Sequence, residues 1–229
     1  GWHRLVNISI HVLNALLLFA FLQRLKLSCR AAWLGAAWFA CHPVMIDNCL
    51  VLVGRADSLA ATFVLLCLLS CIKGQRLRTL FWAILACLSK ESGYAVGPMV
   101  MALGFYTWDA SASPLDSLTR VAKQLRLWLL LLAALAASFL WRLHVVQEIG
   151  GPLGLTPLGN WPILMRLPVI ARCLSNDLEL LAFPLFPSLD YSYLVNQAKI
   201  EGMAWLPGLL GFSLLLFFVF RGGQRGTLA

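Results

Sequence analysis

The chain has 229 residues, 60% of them hydrophobic and 12% charged, with a mean hydropathy of +0.80 and a formal net charge of +8. That composition excludes a soluble globular domain and calls for a membrane as solvent. The excess of Lys and Arg would suggest nucleic acid in a soluble protein, but here it falls in short clusters between apolar runs, where it orients a membrane protein and leaves no nucleic-acid partner.

A transmembrane helix needs about 20 mostly apolar residues. In chain order, spans are predicted at 5–22, 31–41, 58–72, 80–88, 93–108, 125–143 and 203–220, the second and fourth needing flanking residues to cross. Together they describe an all-α polytopic bundle, a single transmembrane domain over residues 1–229. Basic residues favour the cytoplasmic side. Arg24, Lys26 and Arg30 follow the first span, Lys73, Arg76 and Arg78 the third, Arg120, Lys123 and Arg126 the fifth, and Arg221 and Arg225 the last. With these inside, the loops at 42–55, at 89–92 and after Arg142 face the other side. An eighth segment, 161–183, carries Arg166, Arg172, Asp177 and Glu179. A crossing there would put Arg221 and Arg225 outside, so it is predicted to lie in the interface or to re-enter. Trp2, Trp33, Trp108, Trp161 and Trp205 at the ends of apolar runs read as an aromatic belt. The seven Cys are scattered without a C-x-x-C pair and read as small apolar residues.

Four places can carry chemistry, a face of the first span and three loops. The first span sets His3, Asn7, His11 and Asn14 on one helical face, which fits interhelical hydrogen bonding, with a ligand role for His11 as the second reading. The segment from His42 to Asp57 gathers His42, Asp47, Arg55 and Asp57 at the outer end of two helices. Such groups are costly at membrane depth unless paired or wetted. One reading is a structural ion pair between Arg55 and an Asp. The other is a polar pocket in which Arg55 grips a phosphate and carboxylates act as a base or hold a divalent cation. In the run 89–93, Lys90 and Glu91 are sequence neighbours that point to different sides of a helix and therefore to different partners. Lys90 reads either as a snorkelling cation or as a phosphate ligand. A third loop, 187–193, contains Asp190 and Tyr191 among turn formers and hydroxyls. All three loops lie on one predicted face and suggest a single outer cavity.

These residues also carry a resemblance. The His3, Asn7 and His11 start of the first span, the block HPVMID from His42 to Asp47 followed by GRAD from Gly54 to Asp57, the run LSKESG from Leu88 to Gly93, and the run LDYS from Leu189 to Ser192 stand in this order. In that order they resemble the membrane half of the transmembrane and tetratricopeptide-repeat O-mannosyltransferases, within the GT-C glycosyltransferase superfamily. The resemblance implies transfer of mannose, with inversion, from dolichyl-phosphate-mannose to Ser or Thr hydroxyls of an acceptor protein at the lumenal face of the endoplasmic reticulum membrane. It implies Asp47 and Asp57 as catalytic carboxylates and Arg55, Lys90 and His42 as donor-phosphate ligands. His11, Glu91, Asp190 and Tyr191 would line the cavity, and whether a metal participates stays open. The chain departs from the family at Asp47, commonly Glu, and at Ser92, commonly Gln. It is also expected to be a fragment, since the first helix, the first lumenal loop with its principal acid, and the tetratricopeptide repeats have no counterpart here; as an isolated piece it would be inactive. Two other readings are a transporter or lipid flippase that uses the same polar cavity, and a non-catalytic membrane scaffold for a partner, favoured if the three polar loops lie far apart.

Overall fold

Long runs of Leu, Ala and Phe free of Pro and Gly favour helix, and a bilayer accepts helices because their main-chain polar groups are satisfied within the segment. The computed structural model of the protein describes residues 2–51, 54–106, 114–149, 163–182 and 210. Every regular element among the described residues is helical: α1 (Trp2–Arg24), α2 (Cys29–Cys41), α3 (Ile46–Leu50), α4 (Gly54–Ile72), α5 (Arg76–Ser89), α6 (Val96–Tyr106), α7 (Pro114–Ile149) and α8 (Ile163–Ala182). Two 3-10 turns, Pro43–Met45 and Glu91–Ala95, sit before α3 and α6.

Among the described residues three helices are long and apolar enough to cross a membrane: α1, α4 and the stretch Leu125–Val145 of α7. They mark the chain as a membrane protein. Helices α2, α5 and α6 have 13, 14 and 11 residues. At about 1.5 Å per residue each falls short of a hydrocarbon core of about 30 Å without its flanks. The fifth predicted span begins later than expected because residues 91–95 coil into the 3-10 turn. The predicted span 203–220 lies outside the described residues except for residue 210.

The basic ends of α1 and α4 close in the same way. Leu27 N–H donates to Leu22 C=O and Lys26 N–H to Gln23 C=O; Gln75 N–H donates to Ser70 C=O and Gly74 N–H to Cys71 C=O. This paired pattern needs a left-handed residue just past the helix, here Lys26 at φ 63° and Gly74 at φ 69°.

Two compact units divide the chain, Gly1–Leu143 and His144–Ala229. In the first, α4 packs against α1, α5 and α6. The core joins Cys67 and Leu68 of α4, Ala83 and Cys87 of α5, Val96, Val100 and Leu103 of α6, and Leu127 and Leu131 of α7. Ala32, Ala36, Ala60, Ala83 and Ala86 are all buried. Small residues let helix backbones approach closely where lipid removes the hydrophobic drive for association. Trp2, Leu5, Leu16 and Trp33, with Leu132, Leu140 and Trp141, are exposed on the outside, a surface that suits lipid. In the second unit α8 is 20 residues long but is not among the helices apolar enough to cross. It holds Pro168 in its interior, pairs Arg172 with Glu179 at 4.0 Å, and burial pushes the Asp177 carboxyl above its ordinary range.

Candidate functional site

Helix α1 buries a row of polar side chains, each with a partner on another element. Asn7 Nδ2 donates to Val51 C=O at 3.0 Å, His11 Nε2 meets Ala40 C=O at 3.0 Å, and Asn14 Nδ2 donates to Ser58 C=O at 2.8 Å. Thr62 of α4 donates to Asn14 Oδ1 at 2.7 Å, and the His11 ring stacks on Phe39. The spacing of four, four and three that starts at His3 thus ties α1 to α2 and α4. His11 is 7% exposed and engaged in this packing.

At the end of the bundle where α1 begins, the chain changes direction three times. His42 terminates α2, and its Nδ1 accepts from Val44 N–H at 3.3 Å, capping the 3-10 turn, while its ring meets Trp38 edge-on. The buried His42 therefore organises the turn that leads into α3. Asp47 lies within α3, and its side chain is outside the described residues. Helix α4 then starts at Gly54, which places Arg55 and Asp57 in its first turn.

Arg55 and Asp57 turn to different partners. Arg55 Nε donates to Asn7 Oδ1 at 2.9 Å and its Nη2 to His3 C=O at 3.4 Å, both neutral acceptors. Asp57 accepts from Lys90 Nζ at 2.5 Å. The ion pair at this end of α4 is thus Asp57 with Lys90, and among the described residues Arg55 has no acid. The hydroxyl of Ser58, next to Asp57, is buried without a hydrogen-bond partner among the described residues.

Lys90 ends α5 in an extended conformation, and Glu91 opens the 3-10 turn behind it. The change of backbone direction sends the two side chains apart: Lys90 to Asp57, and Glu91 to Arg142 on α7. Gly93 makes the fold-back feasible. A Cβ there would stand 2.1 Å from the Ala86 carbonyl oxygen, so only glycine lets the turn lie against the end of α5. Tyr94 packs edge-on against Phe139 of α7 and helps seat the turn.

Of the residues singled out in the sequence, Arg55, Asp57, Lys90 and Glu91 gather at one end of the first unit, with His42 and the backbone of Asp47 on elements at the same end. His11 lies further along α1, in the packing between helices. Asp190 and Tyr191 lie outside the described residues. Among the described residues no group of three or more His, Cys, Asp or Glu is arranged to hold a metal ion. Two participants go beyond the sequence reading. Arg142 was legible only as a cation ending an apolar span. Asn7 was legible as a member of a polar face, but nothing in its spacing pointed to Arg55, 48 residues on.

Chemically, the contacts at this end of the bundle engage three cations, Arg55, Lys90 and Arg142, with Asp57 and Glu91 as the described carboxylates. One cation rests on neutral acceptors, and the other two sit in ion pairs that an incoming anion can compete for. A carboxylate is within one ion pair of the same place. No family model, curated protein or solved structure matches the chain.

Proposed function

We propose that the chain is a membrane glycosyltransferase of the GT-C type. It moves mannose from a dolichyl-phosphate-linked donor to Ser or Thr hydroxyls of proteins at the lumenal face of the endoplasmic reticulum membrane. In this reading seven helices span, α8 lies in the interface, and membrane lipid surrounds the bundle. The observation that carries it is that Arg55, held by Asn7, and the Lys90–Asp57 pair both lie at the first turn of α4, at one end of the first unit. The choice of sugar and lipid rests on the ordered motifs around His42, Gly54, Lys90 and Asp190.

A lipid-linked donor must keep its isoprenoid in the bilayer and its phosphate at the interface. In this reading Arg55 binds that phosphate, and Lys90 can exchange Asp57 for a phosphate oxygen. The acceptor hydroxyl oxygen then bonds to the anomeric carbon as the carbon–oxygen bond to phosphate breaks. The electron pair leaves with dolichyl phosphate, and the hydroxyl proton passes to a carboxylate. Asp57, released from Lys90, serves as the base; Asp47, whose backbone lies in α3 at the same end, is the second candidate. His42 positions the turn before α3, while Glu91 holds Arg142. A divalent cation, if one takes part, would be held by the carboxylates of Asp57 and Asp47 and would offset the charge of the donor phosphate.

The test is reconstitution of the full-length protein in proteoliposomes with dolichyl-phosphate-mannose and a Ser/Thr-rich acceptor peptide. Loss of a general base costs about 10² to 10⁴ in rate, so Asp57→Asn should abolish most transfer while Arg55→Ala raises the donor KM. Full transfer by both variants would sink the assignment. Passage of labelled lipid between leaflets without mannosylated peptide would favour the flippase instead.

A further inference from the structure

Arg55 is the one cation of this cluster without an acid among the described residues, and what holds it is Asn7. The Asn7 side chain is 1% exposed and uses both ends of its amide. Its Oδ1 accepts from Arg55 Nε at 2.9 Å and its Nδ2 donates to Val51 C=O at 3.0 Å. Only one orientation of the amide satisfies both contacts, because a guanidinium offers donors alone and a carbonyl accepts alone. The same side chain therefore fixes the start of α4 and the segment that leads into it from α3.

We infer that Asn7 is a positioning residue that presents Arg55 to an anionic phosphate without neutralising it. This rests on the reading above of a lipid-phosphate-linked donor and deepens it. The argument turns on residue type. A carboxylate at this place would hold the guanidinium by charge, and an incoming phosphate would have to displace it. A neutral amide fixes the direction of Nε and leaves the positive charge, with the remaining N–H donors of the fork, to the ligand. The contact to His3 C=O, at 3.4 Å, adds a second neutral acceptor and no charge. Asn7 is almost fully shielded while Arg55 is only half-buried, so the amide supports the cation from behind and leaves it accessible.

The experiment measures binding of citronellyl phosphate, a short isoprenoid phosphate, to the full-length protein in phosphatidylcholine nanodiscs. Inorganic phosphate serves as the headgroup-only control. Arg55→Ala, Asn7→Ala, Asn7→Asp and the double variant Asn7→Ala/Arg55→Ala are compared, with thermal midpoints recorded in parallel. Losing one directed charged contact is expected to weaken binding about tenfold in Arg55→Ala and in Asn7→Ala, with no further loss in the double variant. Asn7→Asp should weaken it as well, since the new carboxylate neutralises Arg55 while keeping an acceptor for Nε. A structural role would lower the midpoint and act equally with or without Arg55. Thus additive losses in the double variant, or unchanged binding in both Asn7 variants while Arg55→Ala weakens it, overturn the inference and leave the phosphate site standing. Unchanged binding in Arg55→Ala overturns the phosphate site and the inference with it. Equal weakening toward inorganic phosphate would show that the cradle reads the headgroup; weakening for citronellyl phosphate alone would show that it reads the lipid-linked form.

Discussion

Lys90 reaches Asp57 across 2.5 Å, yet the two side chains keep 35% and 30% of their surface exposed. A pair so open to solvent is a weak source of stability, about 0–1 kcal/mol, because screening and side-chain entropy offset the Coulomb gain. Its interest is that it can be broken at low cost when a competing anion arrives. A double-mutant cycle on Asp57→Asn and Lys90→Met, read by thermal unfolding in detergent, is expected to give a coupling of about 1 kcal/mol or less. A coupling of several kcal/mol would mean a locked structural pair, and exchange of Lys90 onto phosphate would then lose its energetic basis. The buried hydrogen bonds of Asn14 to Ser58 and Thr62 are a different case: their donors and acceptors have no water to return to, so they hold α1 on α4.

At the level of elements, the tightest fit is the 3-10 turn Glu91–Ala95 against the end of α5. Gly93→Ala would drive a Cβ into the Ala86 carbonyl, with Cys87 N also within 2.9 Å, and main-chain atoms cannot step aside as a side chain can. Gly97→Ala, by contrast, meets only the far end of Leu135 at 2.9 Å, a group free to rotate. We expect Gly93→Ala to lower stability by about 1–3 kcal/mol and to separate Lys90 from Asp57, and Gly97→Ala to cost clearly less. Equal thermal midpoints for the two variants would contradict this account of the turn. The turn also shows where sequence reading stops. The existence of α1, α4 and α7 follows from apolar runs long enough to need a bilayer, and those were legible. The site was legible as charged residues at span ends, since placing charge there demands a partner or a ligand. Which charge meets which was not legible, because it depends on a one-turn fold-back at Lys90 and on the break between α3 and α4. Both are set by packing between helices distant in sequence, and hydropathy carries no record of it.

For the whole molecule, the question is whether the two ends of the first unit face different sides of a membrane. The contacts sort its charges. His3, Arg55, Asp57, Lys90, Glu91 and Arg142 lie at one end, tied by the bonds from Arg55 to His3, Lys90 to Asp57 and Arg142 to Glu91. Arg24, Lys26, Lys73, Arg76 and Arg78 belong to the other, where α1 and α4 close and Tyr106 donates to Leu25 C=O. The basic end should be cytoplasmic. Helix α5 is the critical element, since its 14 residues span only about 21 Å and it must cross if the two ends are to be separated. Arg76 and Arg78 in its first turn and Lys90 at its end can extend toward the headgroups and lengthen the reach. Single cysteines at the exposed positions Lys73 and Ser92, in a background with the native cysteines replaced, bracket α5 alone. In sealed microsomes a membrane-impermeant maleimide should modify Lys73→Cys at once and Ser92→Cys only after permeabilisation. Equal labelling of both from the outside would mean that α5 does not cross. The cluster around Asp57 would then share the cytoplasmic face with the basic end, and a lumenal transferase could not be built on it.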